Sequence, residues 1–321
     1  MEGEPFILFK RPGDATIQLG RFQDGAPTQF HVASFDGDHQ TYFVNLSEFD
    51  LTNLDGLLRD VSTTAFQNEL HESAAYQNMV IKAVDLIHRG NLEKVVLARQ
   101  AFYREAIHVP TLMQRLFEVN DAFVYLSYLP KWGLWFGASP EQLLRVHQCV
   151  ASAMALAGTR LSQGDSQWTE KEYREQETVD GYLKQVFEQH GLQSVSSSGV
   201  QDRFAGKIKH LCSEVRGELD HPGWTQELID DLHPTPALGG SPKSQALQFI
   251  KENEGFSRQL YGGYLGFETG DELELFVNIR CARVYNNGIL QFAGAGINSG
   301  SVPESEWKET ENKLEVLSQL F

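Results

Sequence analysis

The chain has 321 residues, 41% of them hydrophobic, enough to bury the core of one large domain or two ordinary ones. Lys and Arg number 27 against 43 Asp and Glu, and the resulting net charge of -16 repels nucleic-acid phosphates and anionic membrane surfaces alike. A small anionic substrate would need a local positive site, from a metal ion or a few placed Arg and Lys side chains.

The first sixty or so residues carry short β-type runs, such as Phe6 to Phe9 and Tyr42 to Val44, broken by Gly, Asp and Pro. From Ser73 to Arg89 the apolar residues Met79, Val80, Ala83, Val84 and Ile87 recur at three and four, which predicts a helix with one buried face. A strand at Lys94 to Ala98 follows. Phe123 to Leu129, Gly133 to Gly137 and Leu143 to Val150 then read as an antiparallel meander. Thr169 to Gln189 is charged and helix-forming, Ser194 to Gly199 reads as a surface loop, and Arg203 to Gly217 as a second helix. Ser244 to Ile250 is predicted helical. Tyr261 to Phe267, Glu274 to Val284 and Ile289 to Phe292 are strand-like, and Glu304 to Leu320 closes the chain as a helix. This order predicts an α+β protein with large antiparallel sheets covered by helices.

Cys149, Cys212 and Cys281 are odd in number and widely spaced, with no CxxC pair, which argues against a disulfide framework and a zinc site and fits a reducing compartment. No basic segment with a long apolar run opens the chain, and no stretch reaches the roughly eighteen apolar residues of a membrane span. The expectation is a soluble, cytoplasmic protein without a nucleic-acid or membrane partner.

Glu172 and Glu175 lie three apart on a predicted helix, and so do Glu306 and Glu309 on the last one, so each pair projects from one helical face. Either pair alone reads as a solvated face. Two such pairs around one cavity would make an all-oxygen site for Mg²⁺, with Glu175 and Glu309 binding directly and Glu172 and Glu306 holding its waters. Gly294, Ala295 and Gly296 suggest a turn just before a helix started by Ser301 and Pro303, where backbone N–H groups could approach an anion or simply permit a tight turn. Arg280, ending the run LFVNIR, suits bidentate contact with a carboxylate or a surface salt bridge. Lys94 alternates with the apolar residues of a buried strand, where desolvation and a dication would make it a base; a lysine snorkelling from a strand end fits the pattern equally. Glu141 reads, unaided, as a turn residue.

The ordered set KVVLAR, FGASPEQLLR, ALAGTR, KEYREQ, LHPTPALGGSPK, YGGYLGF, VNIRCARV and GAGINSGSVPESEWKETENK resembles the chorismate-utilising enzymes, the family of isochorismate, salicylate, anthranilate and aminodeoxychorismate synthases. The resemblance runs from about Ser73 to Phe321, and the first seventy residues match only loosely. It implies a single α+β domain over residues 1–321, in which two large antiparallel sheets stack with helices outside. It also implies that Lys94 is the general base, that Glu141 is the general acid, and that Glu175 and Glu309 bind Mg²⁺ with Glu172 and Glu306 as their supporting partners. Arg280, Tyr261 and the backbone of Gly294, Ala295 and Gly296 match positions that bind the enolpyruvyl carboxylate of chorismate. Lys313 lies one turn after Glu309, and His233 matches a histidine near the reacting edge of the ring. Gln176 departs from the family, which usually has His after the metal glutamate.

Within the family, Ala237 stands where ammonia-using members and salicylate synthases usually carry Thr. That implies water as nucleophile, release of isochorismate, and no amidotransferase subunit. The expected assembly is a monomer or weak dimer. A salicylate synthase and a non-catalytic chorismate-binding relative are the competing readings.

Overall fold

The computed structural model describes residues 3–68, 70, 72–105, 107–161, 167–205 and 208–319, apart from the side chains at 159–161, 171, 205, 208 and 316. Four strands open it: β1 (Phe6–Lys10), β2 (Gln18–Phe22), β3 (Thr28–Ala33) and β4 (His39–Glu48). The short helix α1 (Leu54–Leu58) and α2 (Ser73–His88) precede β5 (Lys94–Tyr103), and α3 (Val109–Leu116) precedes β6 (Phe123–Leu129), β7 (Gly133–Ser139), β8 (Gln142–His147) and β9 (Val150–Leu161). Next come α4 (Glu170–Gln189), β10 (Gln193–Ser197), β11 (Gln201–Ala205), β12 (Ile208–Glu218), α5 (Gln226–Leu232), the two-residue β13 (Gly240–Ser241) and α6 (Lys243–Asn253). The chain ends with β14 (Tyr264–Thr269), β15 (Glu272–Val277), β16 (Cys281–Tyr285), β17 (Gly288–Ile297) and α7 (Pro303–Ser318).

Every ladder is antiparallel, and the pairings run without a break: β13, β5, β17, β16, β7, β6, β1, β2, β4, β3, β14, β15, β8, β9, β12, with β10 and β11 sharing the far edge of β12. The α+β architecture is the expected one. The expected two sheets are two halves of a single hydrogen-bonded ladder that turns back on itself through β2 and β4. An aromatic cluster fills the space between the halves: Phe9 of β1 stacks on Phe267 of β14 at 4.1 Å between ring centroids, and Phe123 of β6 on Phe276 of β15 at 4.5 Å. Tyr125 Oη donates to Asn278 Oδ1 at 2.7 Å across the same interface.

Helices cover the outer faces because each has one apolar stripe. In α2 the buried residues Tyr76, Met79, Val80 and Ala83 follow the helical period and pack with Val95, Leu97, Ala295 and Ile297 of β5 and β17. Helices α4 and α5 cover β8, β9 and β12 in the same way. No helix among the described residues is long and apolar enough to cross a membrane.

Four local expectations are corrected. Arg203 to Gly217 falls in strands β11 and β12 rather than a helix, and Ser194 to Gly199 overlaps β10. Gly294, Ala295 and Gly296 lie inside β17 and form no turn. Arg280 sits between β15 and β16 with φ of +51°, so it terminates a strand rather than belonging to one. The predicted helix end at Leu320 lies outside the described residues.

Phe123 is fully buried where the two halves meet. Phe123→Ala should lower the unfolding free energy by about 3–5 kcal/mol in urea titration, the usual range for a truncated core phenylalanine. A loss below about 1 kcal/mol would mean that the stack between the halves contributes little.

Candidate active site

A cavity of about 350 Å³ opens where one end of β5, β17 and α7 faces β9, β12 and α4. Inside a strand, side chains alternate between faces. Lys94 and Val96 of β5, and Phe292, Gly294 and Gly296 of β17, therefore line the cavity, while Val95, Leu97, Ala295 and Ile297 pack outward against α2 and α6. Ala295 was expected at the substrate through its backbone only, and its side chain packs on the opposite face of β17.

Gly296 is a position where the absence of a side chain matters. A Cβ there would stand 2.9 Å from Lys94 Cε and 3.3 Å from Glu175 Oε1, so the ammonium of β5 and the carboxylate of α4 converge over a bare stretch of β17. Gly240 is the other: a Cβ would lie 2.3 Å from the Lys94 carbonyl oxygen, and its φ of +133° is a glycine conformation. Gly240 thereby lets β13 pair with β5 at Val95, which anchors the strand that carries Lys94.

Glu141 sits between β7 and β8, and its side chain reaches the cavity from the protein interior. Burial pushes its carboxyl up to about 8, with Lys94 pulling in the opposite direction. Oε1 of Glu141 is buried without a hydrogen-bond partner. The cavity thus holds a carboxylic acid that is mostly protonated at neutral pH beside an amine.

The cations occupy one wall. Lys313 Nζ donates to the carbonyl of Gly294 at 2.7 Å and pairs with Glu309 Oε1 at 2.7 Å, one turn earlier on α7. Arg280 Nη1 donates to the carbonyl of Lys313 at 3.3 Å, and its Nε is buried with no partner. Tyr261, its hydroxyl pushed up to about 12 by burial, stands against Gly294. Glu172 and Glu175 also line the cavity, although Glu172 Oε2 is held by the backbone N–H and hydroxyl of Thr169 at the start of α4. Glu306 does not reach the cavity; it is buried and its carboxylate acts on the hydroxyl of Tyr76, whose pKa is raised by burial and then by Glu306 and Glu309. Ala237 is half-buried on the cavity wall.

The histidine at the cavity is His210, not His233. His233 is buried with Nε2 donating to the carbonyl of Gly262 at 2.8 Å, outside the cavity lining. His210 of β12 donates from Nδ1 to the carbonyl of Gly158 at 2.7 Å, beside a bulge in the β9–β12 ladder. A carbonyl only accepts, so that bond places the neutral ring's proton on Nδ1 and leaves Nε2 as an acceptor. Burial, opposed by the Gly158 bond and reinforced by Arg280 and Lys313, brings its pKa down to about 4. The helix expected over Arg203 to Gly217 hid this residue. Gly206, set between the apolar ends Phe204 and Ile208, is the hairpin signal that reveals it. Arg258 also lines the cavity unforeseen; it forms a fully buried pair with Glu254, four residues earlier, and donates to the carbonyls of Val96 at 2.6 Å and Leu238 at 3.0 Å. Gln176 is buried behind Glu175, with Nε2 donating to Ser213 Oγ at 2.6 Å.

A family model of chorismate binding enzymes matches residues 46–321. The chain belongs to the chorismate-binding enzymes. It is 33% identical over 264 residues to isochorismate synthase EntC of Escherichia coli (strain K12), covering 78% of this chain and 68% of that protein. It is 28% identical over 322 residues to the vibriobactin-specific isochorismate synthase of Vibrio cholerae, covering 94% of this chain and 80% of that one. Among solved structures it superposes on the putative 2,3-dihydroxybenzoate-specific isochorismate synthase DhbC from Bacillus anthracis with a TM-score of 0.82 at 24% identity, over 100% of this chain and 97% of that chain, a likeness of fold. Anthranilate synthase component I from Streptococcus pneumoniae TIGR4 shares the fold at a TM-score of 0.73 and 18% identity. The cavity of this chorismate-binding enzyme gathers residues from motifs across the matched region, so the order of those motifs in sequence is the order in which they reach one site.

The state of Glu141 can be read from stability. Its folded pKa of about 8 exceeds the ordinary value of 4.5, so the neutral form contributes stability that is fully present below pH 4.5 and lost as pH rises through about 8. Relative to Glu141→Gln, wild-type stability in urea should therefore fall over that window, by on the order of 1.4 kcal/mol per pH unit. A difference that stays flat across the window would refute a buried neutral carboxyl.

Proposed function

We propose that this chain is a magnesium-dependent isochorismate synthase, which exchanges the 4-hydroxyl of chorismate for a hydroxyl at C2. One observation carries the reading: a lysine and a buried, raised-pKa carboxyl share one small cavity with Arg280 and Lys313. Lys94 takes a proton from water as it attacks C2, and Glu141 gives its proton to the departing oxygen at C4. Arg280, Lys313, Tyr261 and the backbone at Gly294 and Gly296 hold the carboxylates of the dianionic substrate, and His210 Nε2 accepts from a hydroxyl. Arg280 and Lys313 supply positive charge locally in a chain of net charge -16.

The donor set fits Mg²⁺. Glu175 and Glu309 both line the cavity and offer oxygen only, and Gly296 leaves space beside the Glu175 carboxylate. Two carboxylates suit Mg²⁺, an ion that takes one or two of them and completes its shell with water and substrate oxygens. Bound there, Mg²⁺ would engage the ring carboxylate and stabilise charge that develops in the conjugated system. Of the two glutamates expected to support the ion, Glu172 lines the cavity with its Oε2 accepting from Thr169, and Glu306 is buried near Tyr76.

Purified protein given chorismate and Mg²⁺ should yield isochorismate, with no aminated product in high ammonium and little pyruvate, because Ala237 offers no hydroxyl to hold ammonia. Chromatography decides: salicylate with stoichiometric pyruvate would replace this reading by a salicylate synthase. Chelation with EDTA should abolish turnover and added Mg²⁺ restore it; full activity in chelated buffer removes the metal from the mechanism. Lys94→Ala and Glu141→Gln should each lower kcat by roughly 10²–10⁴ with the fold intact. Near-normal turnover in either variant would reassign that residue.

A further inference from the structure

Ala237 and Leu238 enter the cavity on a segment that is irregular backbone between α5 and β13. Such a segment holds a side chain in place only if its ends are fixed. At the far end the fixing is visible: Val96 N donates to the carbonyl of Gly239 at 2.9 Å, and Arg258 Nη1 to that of Leu238 at 3.0 Å. Within the segment, the N–H groups of Leu238 and Gly239 both donate to the carbonyl of Thr235 at 2.9 Å.

The near end depends on one ammonium. Lys243, the first residue of α6, reaches back to the C-terminus of α5, where Nζ donates to the carbonyls of Asp230 at 2.9 Å, Asp231 at 3.0 Å and His233 at 2.8 Å, with Tyr182 Oη at 3.4 Å. These are carbonyls at the end of a helix, which an α-helix cannot satisfy internally, and they form the negative end of its dipole. One cation holding three of them fixes the direction in which the chain leaves α5. His233 adds a second tie from the same point through its bond to Gly262, next to Tyr261. Neither Lys243 nor His233 lines the cavity.

We propose that Lys243 is a positioning residue: its cage at the end of α5 fixes the Pro234–Leu238 segment and, through Ala237, the place of the attacking nucleophile. The inference rests on the isochorismate synthase reading for its kinetic consequence but not for the cage itself. Without the ammonium, three carbonyl dipoles converge on an unpaired space and the segment relaxes. A small displacement of positioning groups is enough to lower the rate of the chemical step while leaving the charged contacts that bind substrate.

The test compares wild type with Lys243→Met, with the milder Lys243→Gln, which keeps a donor but no charge, and with Leu116→Ala, a core truncation in a cluster that shares no residue with the cavity lining. All are measured at a temperature where each is fully folded. Lys243→Met should lower kcat by about 10- to 100-fold with KM for chorismate nearly unchanged. Lys243→Gln should fall between, and Leu116→Ala should lose thermal stability but keep its kcat. In parallel, amide hydrogen exchange of Thr235, Ala237, Leu238 and Gly239 should speed up in both Lys243 variants and not in the control. Wild-type kcat in both Lys243 variants would leave Lys243 as a helix cap only and overturn the proposal. If wild type itself forms no isochorismate, the activity reading falls and exchange alone decides: unchanged exchange sinks the cage, faster exchange sustains it.

Discussion

A sheet sandwich has no natural room for a substrate, because alternate side chains of each strand fill the space between its halves. Here the space is opened by leaving side chains out of β17. At Gly296 even one carbon would crowd the stem of Lys94 and the carboxylate of Glu175, and at Gly294 it would stand 3.1 Å from the hydroxyl of Tyr261. The same bare strand exposes its carbonyls, and Lys313 uses the one at Gly294. Glycine thus does two things at one place: it makes the cavity and supplies backbone acceptors to its wall. Two residues toward the strand's start, Phe292 resumes the aromatic core, stacking on Trp135 at 5.7 Å and on Tyr261 at 5.4 Å.

The charges around the cavity are expensive to bury, and two of its cations have a carboxylate partner on their own stretch of chain. Lys313 has Glu309, and Arg258 has Glu254, whose Oε1 also accepts from the N–H of Ala98 at 2.7 Å. That last bond ties the buried pair to β5, the strand that carries Lys94. Arg280 is the exception in part, since its Nε has no partner, as befits a donor directed at a ligand. His210 is kept neutral beside these cations, so it adds an acceptor to the site without adding to its positive charge.

Much of the architecture was legible in the sequence because most strands here carry a plain signal. β6 was located residue for residue, as an apolar run bounded by turn residues, and α2 by its buried stripe. β12 was not, and the reason is physical. Leu211 and Val215 are buried on one of its faces while His210 and Cys212 are buried on the other, so polar and apolar residues do not alternate. In addition Phe204, Ile208, Leu211, Cys212 and Val215 happen to recur at three and four, the period of a helix. With the strand misread, His210 had no predicted place; His233 was expected near the substrate from its motif alone. Lys94 and Glu141 were found by motif, yet the raised pKa of Glu141 depends on burial among residues distant in sequence, which no local pattern encodes. Arg258 and Lys243 were invisible for the same reason, since their partners are mostly backbone carbonyls brought close by tertiary packing.

The exchange of one hydroxyl position for another constrains the acid and base more than a one-way reaction would. In the proposed forward step Lys94 gains a proton and Glu141 loses one; in the reverse step each must do the opposite. A carboxyl at its ordinary pKa would be almost wholly ionised near neutral pH and could not act as the forward acid. One with a far higher pKa would hold its proton and fail as the reverse base. At about 8, roughly one unit above neutral, Glu141 is mostly protonated, yet losing the proton costs only about 1.4 kcal/mol. Burial raises it, and Lys94 draws it back when it carries its proton. Under the proposed mechanism these two residues, one on β5 and one between β7 and β8, influence each other's protonation across the cavity, so that the proton taken by one favours its release by the other.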